Sequence, residues 1–194
     1  MDFKKINIKK YKNLRFFLVL TVVVVLLIYE SKESKLISKL DNNPELIQKF
    51  NDFKEGGYEK SFNLSKEILE SVIDSAKLYI GVPNKVGGIS RDSIDASGLI
   101  YVSLKSNSVA NFPRIAQDMA RYGDIITDAE DLKRGDLVFF FNTYEINRLI
   151  TSVGIYLGDG KFLNSSSKEG VSISDINDPF YWKQKFIFGT RIFY

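Results

Sequence analysis

The chain has 194 residues, 44% of them hydrophobic and 13% aromatic, with a formal net charge of +3 and neither cysteine nor histidine. Those two zeros exclude disulfides, thiolate nucleophiles, imidazole bases and Cys/His metal sites, leaving carboxylates, lysines, tyrosines and hydroxyls for any acid, base or nucleophile. Residues 1–15 hold six basic side chains against Asp2, which leaves the remaining residues at −2, with no electrostatic footprint for a nucleic-acid backbone.

The first element follows that basic segment, which is expected to be cytoplasmic. Residues 16–29, FFLVLTVVVVLLIY, carry no charge. At 1.5 Å per residue they reach about 21 Å as a helix, short of a hydrocarbon core of about 30 Å. The segment after them has no pair of small residues suited to signal cleavage. An uncleaved single-pass anchor is therefore expected, with the C-terminal domain outside the cytoplasmic membrane, and secretion after signal cleavage is the alternative. Residues 30–60 are expected to form a charged tether and a short helix, and residues 61–194 the domain itself.

Within 30–60, Asp41-Asn42-Asn43-Pro44 signals a helix start, and Gly56-Gly57 ends that helix after about Lys54. Leu64, Ile68, Leu69, Val72, Ile73, Ala76 and Tyr79 recur at helical steps and predict a second helix stopped by Gly81 and Pro83. Asp95 is a plausible cap for a helix entered at Ala96-Ser97-Gly98-Leu99. A short helix over 114–122 is closed by Gly123. Beyond Gly135 the period changes: residues 136–142, 152–157, 161–164, 171–174 and 186–193 are β-branched or aromatic runs divided by turn residues. Helices followed by a strand meander predict an α+β domain with helices packed on an antiparallel sheet.

The run Gly81-Val82-Pro83, Gly87-Gly88, Asp95-Ala96-Ser97-Gly98-Leu99, Pro113-Arg114, Leu132-Lys133-Arg134-Gly135-Asp136-Leu137-Val138-Phe139-Phe140 and Val153-Gly154-Ile155-Tyr156-Leu157-Gly158-Asp159-Gly160 resembles the NlpC/P60 family of papain-like cell-wall cysteine peptidases, over about residues 64–193. The resemblance implies a papain-like fold with the nucleophile at the start of a helix, where the helix dipole stabilises a thiolate. Carried over by position, the nucleophile falls on Ala96, the base on Ser152 and the orienting residue on Asn164. Where the family places tyrosines beside the cleft, this chain has Asn84 and Val86.

Because a methyl and a hydroxyl replace the attacking and proton-accepting groups, the expectation is a non-enzyme: a domain that binds peptidoglycan peptides or a cell-envelope protein partner. The candidate ligand-binding residues are Asn84, Val86, Asp95, Ser97, Arg114, Ser152 and Asn164, with neither cofactor nor metal. The alternative is an active cell-wall peptide hydrolase with a non-standard nucleophile, Ser97 or Ser152, and Lys85 or Asp95 as base. Tyr144, Ile146 and Phe180-Tyr181-Trp182 are candidates for an interaction patch, and Arg114 for meeting a peptide carboxylate.

Overall fold

The computed structural model describes the backbone of residues 8–194 and the side chains of residues 16–28 and 32–194. The basic segment expected at 1–15 lies outside the described side chains. Helix α1 spans Ile8–Ser38 and α2 spans Pro44–Glu55, followed by α3 (Leu69–Lys77), α4 (Ala96–Ser106) and the short α5 (Ala116–Met119). Strands β1 (Asp124–Ile126), β2 (Leu137–Phe140), β3 (Ser152–Gly158), β4 (Lys161–Ser166) and β5 (Gly170–Asp175) come next, then α6 (Trp182–Lys185) and β6 (Phe186–Arg191). The six strands form one sheet in the order β1-β6-β2-β3-β4-β5, with every neighbouring pair antiparallel. This is the α+β arrangement expected from the change of period at Gly135.

Strand alternation divides the core between the two faces of the sheet. Phe139, Val153, Ile155, Leu163 and Phe188 pack with Leu99 and Ile100 of α4 and Ile73 and Ala76 of α3. Val138, Phe140, Tyr156, Phe162 and Phe186 face the other way and gather round Trp182, whose ring centroid lies 4.7 Å from that of Phe140 and 5.1 Å from that of Phe162.

Local chemistry sets the ends of the helices. The Asn43 side chain accepts from the amides of Glu45 and Leu46 and so caps α2, with Pro44 at its first position, as the Asn-Pro signal implies. The second helix is shorter than its apolar spacing predicts. Leu64 pairs its backbone with the chain's last strand segment, its amide donating to Ile192 and its carbonyl accepting from Tyr194. That claims for a sheet edge a residue whose spacing alone suits a helix.

Two expectations for the N-terminal part are corrected. Among the described residues no helix is long and apolar enough to cross a membrane. The thirteen uncharged residues 16–28 with described side chains amount to about 20 Å of helix, and the same helix continues directly into charged sequence. The anchor expected at 16–29 is therefore not supported. The charged stretch after it is not a loose tether either: α1 runs through it to Ser38, and Leu36 and Leu40 are each only 1% exposed in the main core. Lys32 pairs with Glu59, Lys35 with Asp128 and Glu33 with Lys54. Lys39 donates to the carbonyls of Thr127 and Ile187, just beyond β1 and within β6. Leucines recurring every four residues among charges make one buried stripe, which the polar composition masked.

Candidate functional site

The first turn of α4 is held from three sides. Asp95 is its N-cap, in extended conformation, with Oδ1 accepting from the Gly98 amide at 2.6 Å. Its Oδ2 accepts from the Gly87 amide at 2.6 Å, which brings in the loop before the helix. Arg114 closes the cluster: Nη1 donates to Asp95 Oδ1 and to Ser97 Oγ, Nη2 to Asp95 Oδ2 and to the Gly88 carbonyl, at 2.9–3.0 Å. Gly98 is required by this close approach, because a Cβ there would meet the Gly88 carbonyl oxygen at 2.3 Å.

Burial opposes ionisation of Asp95, but the hydrogen bonds from Arg114, Gly98 and Gly87 and the guanidinium charge outweigh it. The carboxyl is held below the usual aspartate range. Ser97 Oγ donates to Asp95 Oδ1 at 3.1 Å. The serine hydroxyl thus points its proton at a carboxylate already neutralised by an arginine, which makes that carboxylate a weak proton acceptor.

In front of this turn opens a groove of about 460 Å³, within the range of small-ligand and peptide subsites. One wall is the loop 84–87 with the α4 start, and Ser152 and Ser165 come from β3 and β4. Tyr144, Ile146, Arg148 and Ile150 form the facing wall, and Tyr181 and Trp182 an aromatic end. The loop before β3 bends repeatedly and turns these side chains onto the groove. Its base is fastened by Thr143 Oγ1 donating to Thr151 Oγ1 at 2.7 Å and by the Ile150 amide donating to Gln117 Oε1 at 2.9 Å.

The groove gathers six of the sequence-derived positions, Asn84, Val86, Asp95, Ser97, Arg114 and Ser152, together with Ala96. Val86 stands on the rim, 77% exposed, whereas the Ala96 methyl is 8% exposed. Asn84 Nδ2 donates to Ser165 Oγ at 2.9 Å, and Ser165 Oγ donates to the Ile94 carbonyl at 2.7 Å, stitching the loop to β4 and to the approach to α4.

Asn164 is not among the groove's lining residues. It is fully buried, its Oδ1 accepting from Ser174 Oγ at 3.3 Å and its Nδ2 without a partner among the described residues. Adjacent strand residues point to opposite faces, and Ser165, not Asn164, opens into the groove. Lys85 is not among the lining residues either. Arg114, expected to meet a ligand carboxylate, has all four terminal N–H groups occupied within the protein.

Sequence reasoning missed Ser165, Arg148 and the Thr143–Thr151 clasp, and it assigned Tyr144, Ile146 and Tyr181 to an interaction patch instead of the groove. No local pattern marks them, because these side chains reach the groove through a bent loop and a fold-level pairing. Trp182 is 8% exposed and belongs to the core as well as to the groove, whereas Phe180 is 89% exposed.

A wider cavity of about 910 Å³ lies elsewhere, bounded by Lys39, Thr127, Asn142, Lys183 and Lys185 among others. It contains none of the candidate site positions, and it lies between the turn after α1, the segment after β1 and α6. The smaller groove is the better candidate because a capped helix start, hydroxyls and charged groups converge there.

The NlpC/P60 family model matches residues 81–191, from the loop before α4 to the end of β6. The chain is 36% identical over 115 residues to the gamma-DL-glutamyl hydrolase of Bacillus subtilis, covering 59% of this chain and 27% of that protein. It is 32% identical over 125 residues to the probable endopeptidase NlpC of Escherichia coli, covering 64% and 79%. Among solved structures, an NLP/P60-family protein from Staphylococcus aureus superposes with a TM-score of 0.58 at 28% identity, covering 68% of this chain and 43% of that one. The chain thus spans about a quarter of the Bacillus hydrolase and under half of the staphylococcal protein.

These relatives are named a hydrolase and an endopeptidase, which overturns the expectation that the chain is not an enzyme. That expectation equated loss of a thiol–imidazole pair with loss of hydrolysis. Two positions do not decide the chemistry of a groove that also presents the hydroxyls of Ser97, Thr143 and Ser165. With the family model matching more than half of its length, from the Gly-Val-Pro loop through the whole sheet meander, the chain belongs to the NlpC/P60 family.

Proposed function

We propose that the groove at the start of α4 takes a peptide stem of peptidoglycan as substrate. The observation that carries this reading is the convergence of the capped helix start, the Ser152 end of β3 and an aromatic wall on one groove of about 460 Å³. Its support from outside the chain is the naming of the relatives as a glutamyl hydrolase and an endopeptidase. Hydrolysis in this groove uses an oxygen nucleophile, since the chain has no cysteine. Ser152, at the position aligned with the family's base, is the first candidate, and Ser97, whose hydroxyl rests on the arginine-paired Asp95 carboxylate, the second.

Action on peptidoglycan puts the domain outside the cytoplasmic membrane. The apolar side chains of residues 16–28, which are 44–67% exposed, supply a surface for association with that membrane. Sedimentation of the full chain with lipid vesicles tests this part, and recovery in the supernatant at every lipid concentration counts against it.

The groove is tested with the purified full chain and purified peptidoglycan, by mass spectrometry of released fragments and calorimetry with soluble stem peptides. Release that falls at least a hundredfold in Ser97→Ala or Ser152→Ala identifies the attacking hydroxyl. Binding without release retains the groove and removes the hydrolytic step. Neither binding nor release overturns the reading.

A further inference from the structure

The charges lining the groove do not cancel. Asp95 and Arg114 neutralise each other in a bidentate pair, and Tyr144 and Tyr181 are pushed up by burial and stay uncharged at neutral pH. What is left is Arg148, whose guanidinium has no hydrogen-bond or ion-pair partner among the described residues. Its backbone is not free to wander. The Arg148 amide donates to the Ile146 carbonyl at 2.8 Å, two residues back, and the loop base is clasped by Thr143 and Thr151. Around it the lining is largely apolar or aromatic, with Ile115, Ile146, Tyr144 and Trp182, so no other unpaired charge of the groove competes with it for a ligand.

We propose that Arg148 determines the specificity of the groove, selecting peptides that carry a free carboxylate over the same peptides carrying a carboxamide. A guanidinium presents two parallel N–H groups to a carboxylate, and Arg114, the other guanidinium in the groove, has already spent its terminal donors on Asp95, Ser97 and Gly88. The inference rests on the groove being the peptide site and adds to it the charge of the ligand. Arg148 is exposed and touches no core residue through a hydrogen bond, so its replacement leaves the fold intact.

The test is calorimetry of the full chain with L-alanyl-γ-D-glutamyl-L-lysinamide, whose glutamyl α-carboxylate is its one carboxylate, and with the analogue in which that carboxylate too is a carboxamide. The unsubstituted protein binds the carboxylate form about tenfold or more tightly, Arg148→Gln binds the two forms within about twofold, and Arg148→Lys keeps part of the preference. Equal binding of both forms by the unsubstituted protein overturns the role of Arg148, as does a preference that survives in Arg148→Gln. Binding of neither form overturns the groove as well, which separates the two failures. Equal melting temperatures of the variants exclude misfolding as the cause.

Discussion

Arg114 meets Asp95 fork to fork, with Nη1 on Oδ1 and Nη2 on Oδ2 both at 2.9 Å, while the same carboxylate caps α4 and holds the Gly87 amide. One half-buried ion pair therefore fixes the entry to α4, the loop wall of the groove and the Ser97 hydroxyl together. Arg114→Ala leaves the carboxylate without its guanidinium. Since the pair is only partly screened, the expected loss is about 2 kcal/mol, below the cost of breaking a fully buried pair. Urea unfolding of the variant checks this, and an unchanged midpoint would mean that water replaces the guanidinium without penalty.

The same pair gives a pH dependence. Asp95 titrates below its ordinary value in the folded protein, so the unfolded chain binds its proton first as pH falls. The stability it contributes is complete above the ordinary aspartate value of about 3.9 and is lost as pH drops through the lower folded value. Thermal unfolding between pH 5 and pH 2 should thus lose less stability in Asp95→Asn than in the unsubstituted protein.

Lys39 works in the opposite pH range. Burial lowers its ammonium to about 8, Asp128 pulling it up and Lys35 pushing it down. The amine is used as a donor to the Thr127 and Ile187 carbonyls and lies 4.6 Å from the Phe186 ring centroid. A lysine whose folded value lies below its unfolded value of about 10.4 binds fewer protons folded than unfolded, so stability rises with pH between the two. Its partial exposure reduces the gain to about 1–2 kcal/mol between pH 8 and pH 10.5. Chemical denaturation across that range should show the rise in the unsubstituted protein and a flatter profile in Lys39→Met.

Much of this was written locally in the chain. Asn43-Pro44, the glycines after Glu55 and the alternation after Gly135 name their elements because each depends on neighbours in sequence. The helix start at Asp95 was legible as a local cap signal, whereas the pairing of Ala96 with Ser152 in one groove came from the family resemblance, and both positions line it. What escaped depended on distant partners. The three-residue strand β1 exists because β6 is there to pair with it. Leu64 leaves the helical pattern for Ile192 and Tyr194. The choice of Ser165 over Asn164 turns on which face of β4 meets the groove. The role of Arg148 follows only once Arg114 is seen to be spent on Asp95.

The end of α1 and the turn after it are part of the domain, and this has a direct measure. Leu36 and Leu40 are each 1% exposed among α2, β2 and β6 residues such as Phe50, Phe139 and Phe188. Truncating either to alanine removes three buried carbon atoms and leaves a cavity, at an expected cost of about 2–5 kcal/mol. A solvated tether would show no change, so denaturant midpoints of Leu36→Ala and Leu40→Ala that match the unsubstituted protein would return residues 30–43 to the status of a linker.

The chain has one tryptophan, and it sits where a ligand would be felt. Trp182 borders the groove and stands edge-on to Phe140, Phe162 and Tyr181, with ring centroids 4.7, 5.1 and 4.8 Å away. A peptide seated against Tyr181 and Trp182 excludes water from the exposed edge of the indole without disturbing the face packed on the sheet. Titration with a stem peptide should therefore shift the indole emission to shorter wavelength, saturating at the calorimetric affinity. The larger cavity does not border Trp182, so ligands held there would bind calorimetrically with little change of emission. Trp182→Phe keeps the aromatic packing, at an expected cost of about 1–2 kcal/mol for the smaller ring, and supplies the silent control. An emission that stays fixed while the calorimetric titration saturates would locate the peptide away from the groove.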